Sequence, residues 1–387
     1  MNIIFLETVQ IHGGARKSTV ELAKRLQDGG HDVTIIDFWG TCDDFISDVS
    51  KNNIPFFILN KLNNPIVIFN SRNIIIILKN IFNFFFEWFR LRKKLANYVS
   101  RIKPDIVITN NIKTNSILRR GGAYKIVYFA RGWFAYNSLG ILKKLLFKNH
   151  SDYFIGVSQS TRQAIFTGGL APMSRIFVVP NAIDIEIIEQ YRIQAKNTKK
   201  DQFVILHCGG FLSDKGHNLS LSLAKRLEES KIDFKMILMG SIYDSSVSIN
   251  FYRFIENKIK SMNLEDRVFL ITDHKNPYEV FKDCDLLIHP SNTEGLPRVI
   301  MESMAFGIPV IANPVGGVTD YILHNFTGFL ANHNDVEDYF NYTMRLYQNK
   351  DLYLFITSNA KTLIKSNYSP INQRNEFEKV INKIRMA

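Results

Sequence analysis

Two glutamates and a lysine are the residues of this sequence whose types and spacing best suit chemistry. Glu294 and Glu302 stand on either side of a predicted helix start, and Lys215 follows a predicted strand over 203–208. Carboxylates accept hydrogen bonds from hydroxyl groups, and an ammonium group attracts phosphate. The amides of a helix start also attract anions. This combination indicates a site for a sugar nucleotide.

Glycine pairs follow the first predicted strand in each half of the chain. Gly13 and Gly14 follow the first, and Gly209 and Gly210 follow the strand that precedes Lys215. Since glycine has no side chain, a phosphate or sugar can approach the backbone amides of such a loop. A pair of this kind also has a purely structural interpretation as a turn.

The helix predicted after the first glutamate offers an anion site at its start. Pro297 suits the first turn of that helix. The amides of Gly295 and Leu296 would point out of the helix start, where the helix dipole favours an anion. A structural alternative stays open, in which Glu294 caps the helix and Glu302 forms a salt bridge.

Buried-strand segments alternate with helical segments in both halves of the chain, which is typical of parallel α/β domains. We predict an α/β fold of two doubly wound, Rossmann-like domains that face a central cleft. Ligands in such folds bind outside the carboxyl ends of the strands. The predicted boundaries are an N-terminal domain at 1–184, a linker at 185–200, a C-terminal domain at 201–365 and a terminal helix at 366–387, which is expected to pack back on the N-terminal domain.

The composition indicates a globular protein with an anionic partner. The 387 residues carry a formal net charge of +12, although lysines that only solubilise the surface are an alternative. The three cysteines are far apart and indicate neither disulfides nor a zinc site, so a reducing compartment is expected. The first residues are typical of a strand and not of a secretion signal. Charged residues interrupt the longest apolar stretch, which argues against a transmembrane helix.

A helix predicted within residues 72–103 has a narrow polar stripe and a wide apolar arc, followed by a basic cluster. Apolar side chains in the headgroup boundary and cations against anionic lipid would hold such a helix on a membrane. The alternative is burial between the first sheet and its neighbours. We expect a cytoplasmic protein, peripheral on the inner face of the cell membrane.

Together these motifs resemble the retaining glycosyltransferases of family 4, which have the GT-B architecture. Seven residues separate Glu294 from Glu302, Pro-Ser precedes them, and Met-Ala-Phe-Gly-Ile-Pro-Val follows at 304–310. A further glycine pair stands at 316–317. The segment Pro-Asn-Ala-Ile-Asp at 180–184 is similar to a further family element.

The resemblance implies a mechanism and a set of roles. Lys215 and the amides around Gly295 would hold the donor diphosphate, Glu302 the ribose and Glu294 the donor sugar. Asp273 or His274 would lie against the base. It also implies a donor-binding C-terminal domain, an acceptor-side N-terminal domain, transfer with retention, and neither metal nor cofactor. A glycan or lipid-linked acceptor of bacterial surface polysaccharide synthesis (lipopolysaccharide, O-antigen or capsule) is the expected partner of the nucleotide sugar.

The sequence departs from the family at two positions. Many members have Gly-Arg where this chain has Gly209-Gly210, so the arginine that would join Lys215 on the diphosphate is absent. We expect Arg298, Arg16 or Lys17 to supply that charge. Arg131 stands where many members have a histidine near the donor sugar, and either replaces it or binds an anionic acceptor.

Other functions fit the sequence less well. A sugar-nucleotide epimerase or a catalytically weak GT-B relative that acts as a binding protein are the main alternatives. A nicotinamide dehydrogenase would need a G-x-G-x-x-G loop after the first strand, which 13–18 does not provide. No pyridoxal-phosphate lysine site is recognisable for a phosphorylase. Lys and Arg are scattered without a recognisable binding module, so nucleic acid is not an expected partner.

Overall fold

The computed structural model describes residues 1–62, 74–133, 139–195, 202–272 and 277–386. The chain forms two compact units. The first unit contains Met1–Asn181 and Pro370–Ala387, and the second contains Ala182–Ser369. Each unit is built on a parallel sheet with helices on its faces, as the alternating sequence pattern predicts.

The sheet of the first unit has seven strands in the described residues, in the order β3-β2-β1-β4-β5-β6-β7, all parallel. They are β1 (Asn2–Glu7), β2 (Asp32–Asp37), β3 (Phe56–Ile58), β4 (Ile106–Thr109), β5 (Lys125–Ala130), β6 (Tyr153–Gly156) and β7 (Ile176–Val178). Its helices are α1 (Gly14–Asp28), α2 (Asp43–Lys51), α3 (Ile74–Ile102), α4 (Ile112–Ser116), α5 (Ile141–His150), α6 (Gln159–Thr167) and, from the end of the chain, α14 (Pro370–Met386).

The sheet of the second unit has six described strands in the order β10-β9-β8-β11-β12-β13, also parallel. They are β8 (Phe203–Cys208), β9 (Phe234–Met239), β10 (Val268–Ile271), β11 (Leu286–His289), β12 (Val310–Ala312) and β13 (Phe329–Leu330). Its helices are α7 (Ile185–Ala195), α8 (His217–Glu229), α9 (Ser246–Ser261), α10 (Tyr278–Phe281), α11 (Arg298–Phe306), α12 (Val336–Gln348) and α13 (Lys350–Asn367).

Buried apolar strands explain why the sequence predicted so much of this fold. Strand β8 has the predicted bounds, because its apolar segment ends where the chain leaves the sheet. The three-residue strand β3 was missed, since so short a segment gives no period. The prediction of GT-B architecture, two parallel α/β domains, is confirmed.

The chain leaves the first unit before the segment predicted as a linker. Residues 185–195 of that segment form α7, which packs on α10 and α11 in the second unit. The last helix, α14, packs on α1 in the first unit. There Gln373 accepts a hydrogen bond from Arg25 and donates one to the carbonyl oxygen of Pro180. Within the described ranges, no helix is both long and apolar enough to cross a bilayer.

Candidate functional site

The loops after β8 and β11 lie against each other because those two strands pair in the second sheet. Gly216 has a φ of +78°, and a side chain there would overlap the backbone of Pro290. The amide of Asn292 donates to the carbonyl oxygen of Asp214 at 2.7 Å. This close contact brings residues that are far apart in sequence into one site at the carboxyl edge of the sheet.

Lys215 and Glu294 form the centre of that site. The Lys215 Nζ donates to Glu294 Oε1 at 2.9 Å. His289, the last residue of β11, donates from Nε2 to the same oxygen at 3.0 Å, since an ionised carboxylate only accepts. His289 is 3% exposed, and its Nδ1 has no hydrogen-bond partner among the described residues. Glu294 is therefore fixed by two donors on one oxygen.

The charges of the site reinforce one another. Burial acts to raise the pKa of Glu294, but the hydrogen bonds and charges of His289 and Lys215 outweigh burial and lower this pKa to about 2. Burial acts to lower the pKa of Lys215, and the neighbouring Glu294 carboxylate raises it overall. Both side chains are thus ionised at neutral pH, and the ammonium is available to an anion.

Glu302 lies on the second turn of α11 and is buried, as predicted. Its Oε1 lies 3.7 Å from the Nε of Arg298, one helical turn before it, and accepts a hydrogen bond from the hydroxyl of Tyr278 at 3.4 Å. The Nη1 of Arg298 also donates to the carbonyl oxygen of Ala182 at 3.1 Å. The salt-bridge alternative for Glu302 thus describes a contact that exists.

Pro297 is the N-cap of α11 and not its first helical residue, which is Arg298. Its extended backbone is held by the hydroxyl of Tyr321, which donates to the Pro297 carbonyl oxygen at 3.0 Å. Gly295 and Leu296 are buried in the preceding loop, and the carbonyl oxygen of Gly295 accepts from the amide of Gly317. This loop is therefore held in place by the neighbouring glycine turn.

Gly209 and Gly210 lie in the loop after β8, next to Lys215. A Cβ on Gly209 would come within 3.5 Å of the Lys215 Cβ, and the amide of Gly209 continues the ladder to Met239 at 2.8 Å. A Cβ on Gly210 would lie 2.5 Å from the hydroxyl of Tyr243. The position where many family members have arginine is thus closed in this chain by a tyrosine ring.

The first unit holds the remaining predicted residues at the carboxyl edge of its own sheet. Gly13 is the N-cap of α1, and Gly14 is the first residue of that helix. Arg131 follows β5 and donates to the Asn181 side chain at 3.2 Å and to the Thr19 hydroxyl at 3.3 Å. Its guanidinium lies 4.0 Å from the ring centroid of Phe129.

Beside the start of α1, the first unit has an open pocket of about 360 Å³, lined in part by Arg16, Asn111 and Lys113. Arg16 also lies 3.5 Å from the buried Glu7. Burial lowers the pKa of Lys113, whose ammonium lies 6.0 Å from the ring centroid of Trp39. Two basic side chains and an amide thus line one pocket.

Sequence reasoning missed two residues of the second unit, His289 and Tyr278. His289 is the last residue of an apolar strand, and a polar residue at the carboxyl end of a parallel strand indicates a ligand site. No comparable local pattern marks Tyr278. Asp273 and His274 lie outside the described residues. In the described part of the chain, no three His, Cys, Asp or Glu side chains are grouped as a metal site would require.

Comparison with known proteins agrees with this geometry. Residues 12–187 match the model of Glycosyltransferase Family 4, and residues 189–363 match that of Glycosyl transferases group 1. An uncharacterised glycosyltransferase of Haemophilus influenzae is 24% identical, covering 93% of this chain and 94% of its own length. The capsular polysaccharide biosynthesis glycosyltransferase CapM of Staphylococcus aureus is 24% identical, covering 64% and 66%.

A solved structure shows the same fold. Anabaena Alr3699/HepE, in complex with UDP and glucose, is 20% identical and has a TM-score of 0.78 over 99% of both chains. Since the two family models together match most of the chain, one on each unit, the protein belongs to the group 1 glycosyltransferases and is a glycosyltransferase of GT-B fold.

Proposed function

We propose that this glycosyltransferase moves a sugar from a nucleoside-diphosphate donor to a lipid-linked glycan acceptor, with retention of configuration and without a divalent metal. The observation that carries the proposal is the arrangement of Lys215, Glu294 and His289 at the carboxyl edge of the second sheet. The capsular polysaccharide relative supports bacterial surface polysaccharide as the product class.

In this proposal the donor binds to the second unit. The ammonium of Lys215 contacts the diphosphate, and Glu294 accepts hydrogen bonds from the donor sugar. His289 holds the carboxylate in place when the lysine turns to the phosphates. Glu302 accepts from the ribose, and Arg298 adds positive charge at the start of α11. The Anabaena structure was solved with UDP and glucose, which supports a nucleoside diphosphate as the leaving group.

The chemical step follows from charge. As the bond between the sugar and the phosphate breaks, negative charge grows on the leaving diphosphate, and the Lys215 ammonium stabilises it. The acceptor hydroxyl then bonds to the anomeric carbon on the face that the diphosphate leaves, and its proton passes to a diphosphate oxygen. Because a fixed ammonium neutralises the leaving group, we infer that no metal is needed.

The acceptor is proposed to bind to the first unit. The pocket lined by Arg16, Asn111 and Lys113 suits an anionic group on the acceptor. Arg131, whose guanidinium is held by Asn181 and Thr19, keeps both proposed roles: it replaces the family histidine or binds an anionic acceptor.

Two measurements test this function. Nucleotide sugars are first screened by thermal shift, because a ligand that binds only the native state raises the melting temperature. The product of the best donor is then examined by NMR with and without EDTA. We expect the anomer of the donor to be retained and full activity with the chelator. An inverted product, an epimerised donor, or activity lost in EDTA and restored by manganese would contradict the proposal.

Helix α3 supports the membrane part of the proposal. Glu87, which belongs to the polar stripe, is buried and accepts a hydrogen bond from Asn60. The outward side of the helix carries large apolar residues that are between 43% and 73% exposed: Ile74, Ile75, Ile76, Leu78, Phe82, Phe85, Phe86 and Phe89. The first half of α3 is thus not buried in its own unit. This helix is the described part of the segment 72–103 and begins at residue 74.

A second exposed apolar set lies on α5, with Ile141 and Leu142 each 78% exposed and Leu145 48% exposed. Helices α3 and α5 pack on the same face of the first sheet. Leu91 of α3 belongs to the same buried cluster as Ile126 of β5, and the ring of Phe147 in α5 contacts the ring of Tyr128. Ile126 and Tyr128 are two residues apart on β5 and therefore lie on one face of the sheet. Neighbouring exposed apolar side chains of this kind mark interaction surfaces.

Basic residues accompany both patches. Lys79, Arg90 and Lys93 are exposed on α3, and Lys143 is exposed on α5. Cations beside exposed apolar side chains suit an anionic lipid surface, to which each contributes about 1 kcal/mol. We therefore propose that these two helices rest on the membrane that holds the lipid-linked acceptor.

Flotation with liposomes tests the membrane contact. Binding should require anionic lipid, weaken as salt is added, and fall in a variant with Lys79, Arg90 and Lys93 changed to Gln. These three are chosen because Arg92 and Lys94 also contact Trp88 and Asn60. A variant with the exposed Lys231, Lys350 and Lys365 of the second unit changed to Gln is the matched control and should float normally. Equal flotation of the Gln variant would contradict the proposal.

A further inference from the structure

The loop after β8 has glycine at the position where many family members have arginine. A neighbouring side chain explains why no larger residue fits there. An ideal Cβ on Gly210 would lie 2.5 Å from the Tyr243 Oη and 2.7 Å from its Cε2. The tyrosine hydroxyl therefore occupies the space that the Cβ of an arginine at position 210 would need. A residue larger than glycine fits only if Tyr243 moves away.

Backbone contacts between neighbouring loops place Tyr243 there. A Cβ on Gly240, after β9, would overlap the carbonyl oxygen of Gly209, so the two loops approach each other at glycine positions. The amide of Phe211 donates to the carbonyl oxygen of Ser241 at 3.0 Å. The approach is thus fixed by main-chain atoms on both loops.

A buried serine then fixes the backbone of the tyrosine itself. The hydroxyl of Ser248, which is fully buried in α9, accepts from the amide of Tyr243 at 3.0 Å and donates to the carbonyl oxygen of Phe211 at 2.9 Å. These two hydrogen bonds hold the backbone of Tyr243 in place before any ligand binds.

Lys215 lies on the other side of the same glycine loop. Its Cβ and Cγ would be 3.5 and 3.7 Å from a Cβ on Gly209. The glycine pair is therefore bounded by the lysine stem and by the half-buried tyrosine. Burial acts to lower the pKa of Lys215, Glu294 raises it most, and Tyr243 adds to that rise, so Tyr243 lies near enough to the ammonium to affect it.

We propose that Tyr243 is a donor-binding residue whose hydroxyl donates a hydrogen bond to the diphosphate beside Lys215, in place of the arginine of the family. This inference rests on the proposed function, because it needs a diphosphate at Lys215. A phenol is neutral, so this loop supplies one cation and one neutral donor where an arginine would supply a second cation. Of the three residues expected to supply the missing charge, Arg298 is the one proposed to lie at the donor site, whereas Arg16 lines the pocket proposed for the acceptor.

Binding of UDP, GDP and ADP by calorimetry tests the proposal, with the corresponding monophosphates beside them. For the diphosphate that the parent protein binds best, Tyr243→Phe should weaken binding roughly tenfold or more, the loss expected for a hydrogen bond to a charged group. The weakening should be smaller for the monophosphate. Tyr347→Phe, at an exposed position of α12, is the matched control and should bind normally.

A pair of variants separates this role from simple packing. Gly210→Arg alone should bind the diphosphate poorly, since its Cβ meets the tyrosine ring. Combined with Tyr243→Ala, the arginine has space, and affinity should rise above that of Tyr243→Ala alone. A parent protein that binds none of the diphosphates would overturn the proposed function. If the parent and Tyr243→Phe bind a diphosphate equally tightly, this inference is overturned and the proposed function is not.

Discussion

The glycine pairs at 13–14 and 209–210 both follow the first strand of a unit, but they are glycine for different reasons. A Cβ on Gly13 would meet no atom within 4 Å, and its φ of −112° suits any residue. A Cβ on Gly210 would meet Tyr243 at once. The first pair leaves open space at a helix start, whereas the second makes room for a neighbouring side chain. The same local pattern thus has two tertiary causes.

The largest expected effect comes from removing the cation beside the second pair. Lys215→Ala should lower the rate of transfer by about a hundredfold or more, as when one group that stabilises the leaving charge is lost. It should also weaken binding of the nucleoside diphosphate. The matched variant in the first unit is Arg16→Ala, which removes the cation beside the first pair. Steady-state kinetics and calorimetry check both.

The two variants distinguish the roles of the two loops, because only the loop beside Lys215 is proposed to bind the donor. Arg16→Ala should leave the affinity for the nucleoside diphosphate within about twofold of the parent value, as for a residue that makes no contact with this ligand. Similar losses of donor affinity in both variants would contradict the separation of roles.

A smaller effect is expected from adding one methyl group to each loop. Gly210→Ala should displace Tyr243 and weaken diphosphate binding by about tenfold, because the new Cβ lies within the contact distance of its ring. Gly13→Ala should change the free energy of unfolding by less than about 1 kcal/mol, which is the usual scale for a change at an N-cap. Calorimetry and urea unfolding measure the two effects. If the alanine is tolerated equally at both positions, the two glycines do not differ as described.

The smallest expected effect is on stability against pH. The pKa of Glu294 is lowered to about 2 from 4.5, so its ionised form stabilises the fold above about pH 4.5 and this stabilisation is lost as the pH falls towards 2. The stability difference between the parent and Glu294→Gln should therefore be smaller at pH 3.5 than at pH 7, by about 1 kcal/mol. Urea unfolding at both pH values measures it. An unchanged difference would mean that the ion pair with Lys215 does not hold this carboxylate ionised.

Much of the architecture was predictable from local patterns. Apolar segments such as 203–208 and 286–289 gave the strands of the second sheet, since a strand buried on both faces must be apolar along its whole length. Gly307, which has a φ of +87°, follows the last residue of α11, a position where glycine commonly ends a helix. The spacing of Glu294 and Glu302 in its context gave the family, which the comparisons confirm.

Helix α3 shows where pattern reasoning stops. Its period gave a polar stripe and an apolar arc, but it could not say which of them faces the sheet. Burial of Glu87 against Asn60, with Phe82 and Phe86 outside, depends on a loop residue from another part of the chain. A helical period gives relative directions only, so the inward side is decided by whatever the helix packs on.

The sequence by itself determined most of the strands, the family and the placement of Lys215 and Glu294 after strands, because each of these depends on residues close together in the chain. The tertiary structure alone decided that His289 holds the Glu294 carboxylate and that Tyr243 closes the space above Gly210. Tyr243 follows β9 and Gly210 follows β8, and these loops meet only because the two strands pair in the sheet. This contact leaves no local signal at Tyr243, because in its own segment Tyr243 looks like an ordinary loop residue.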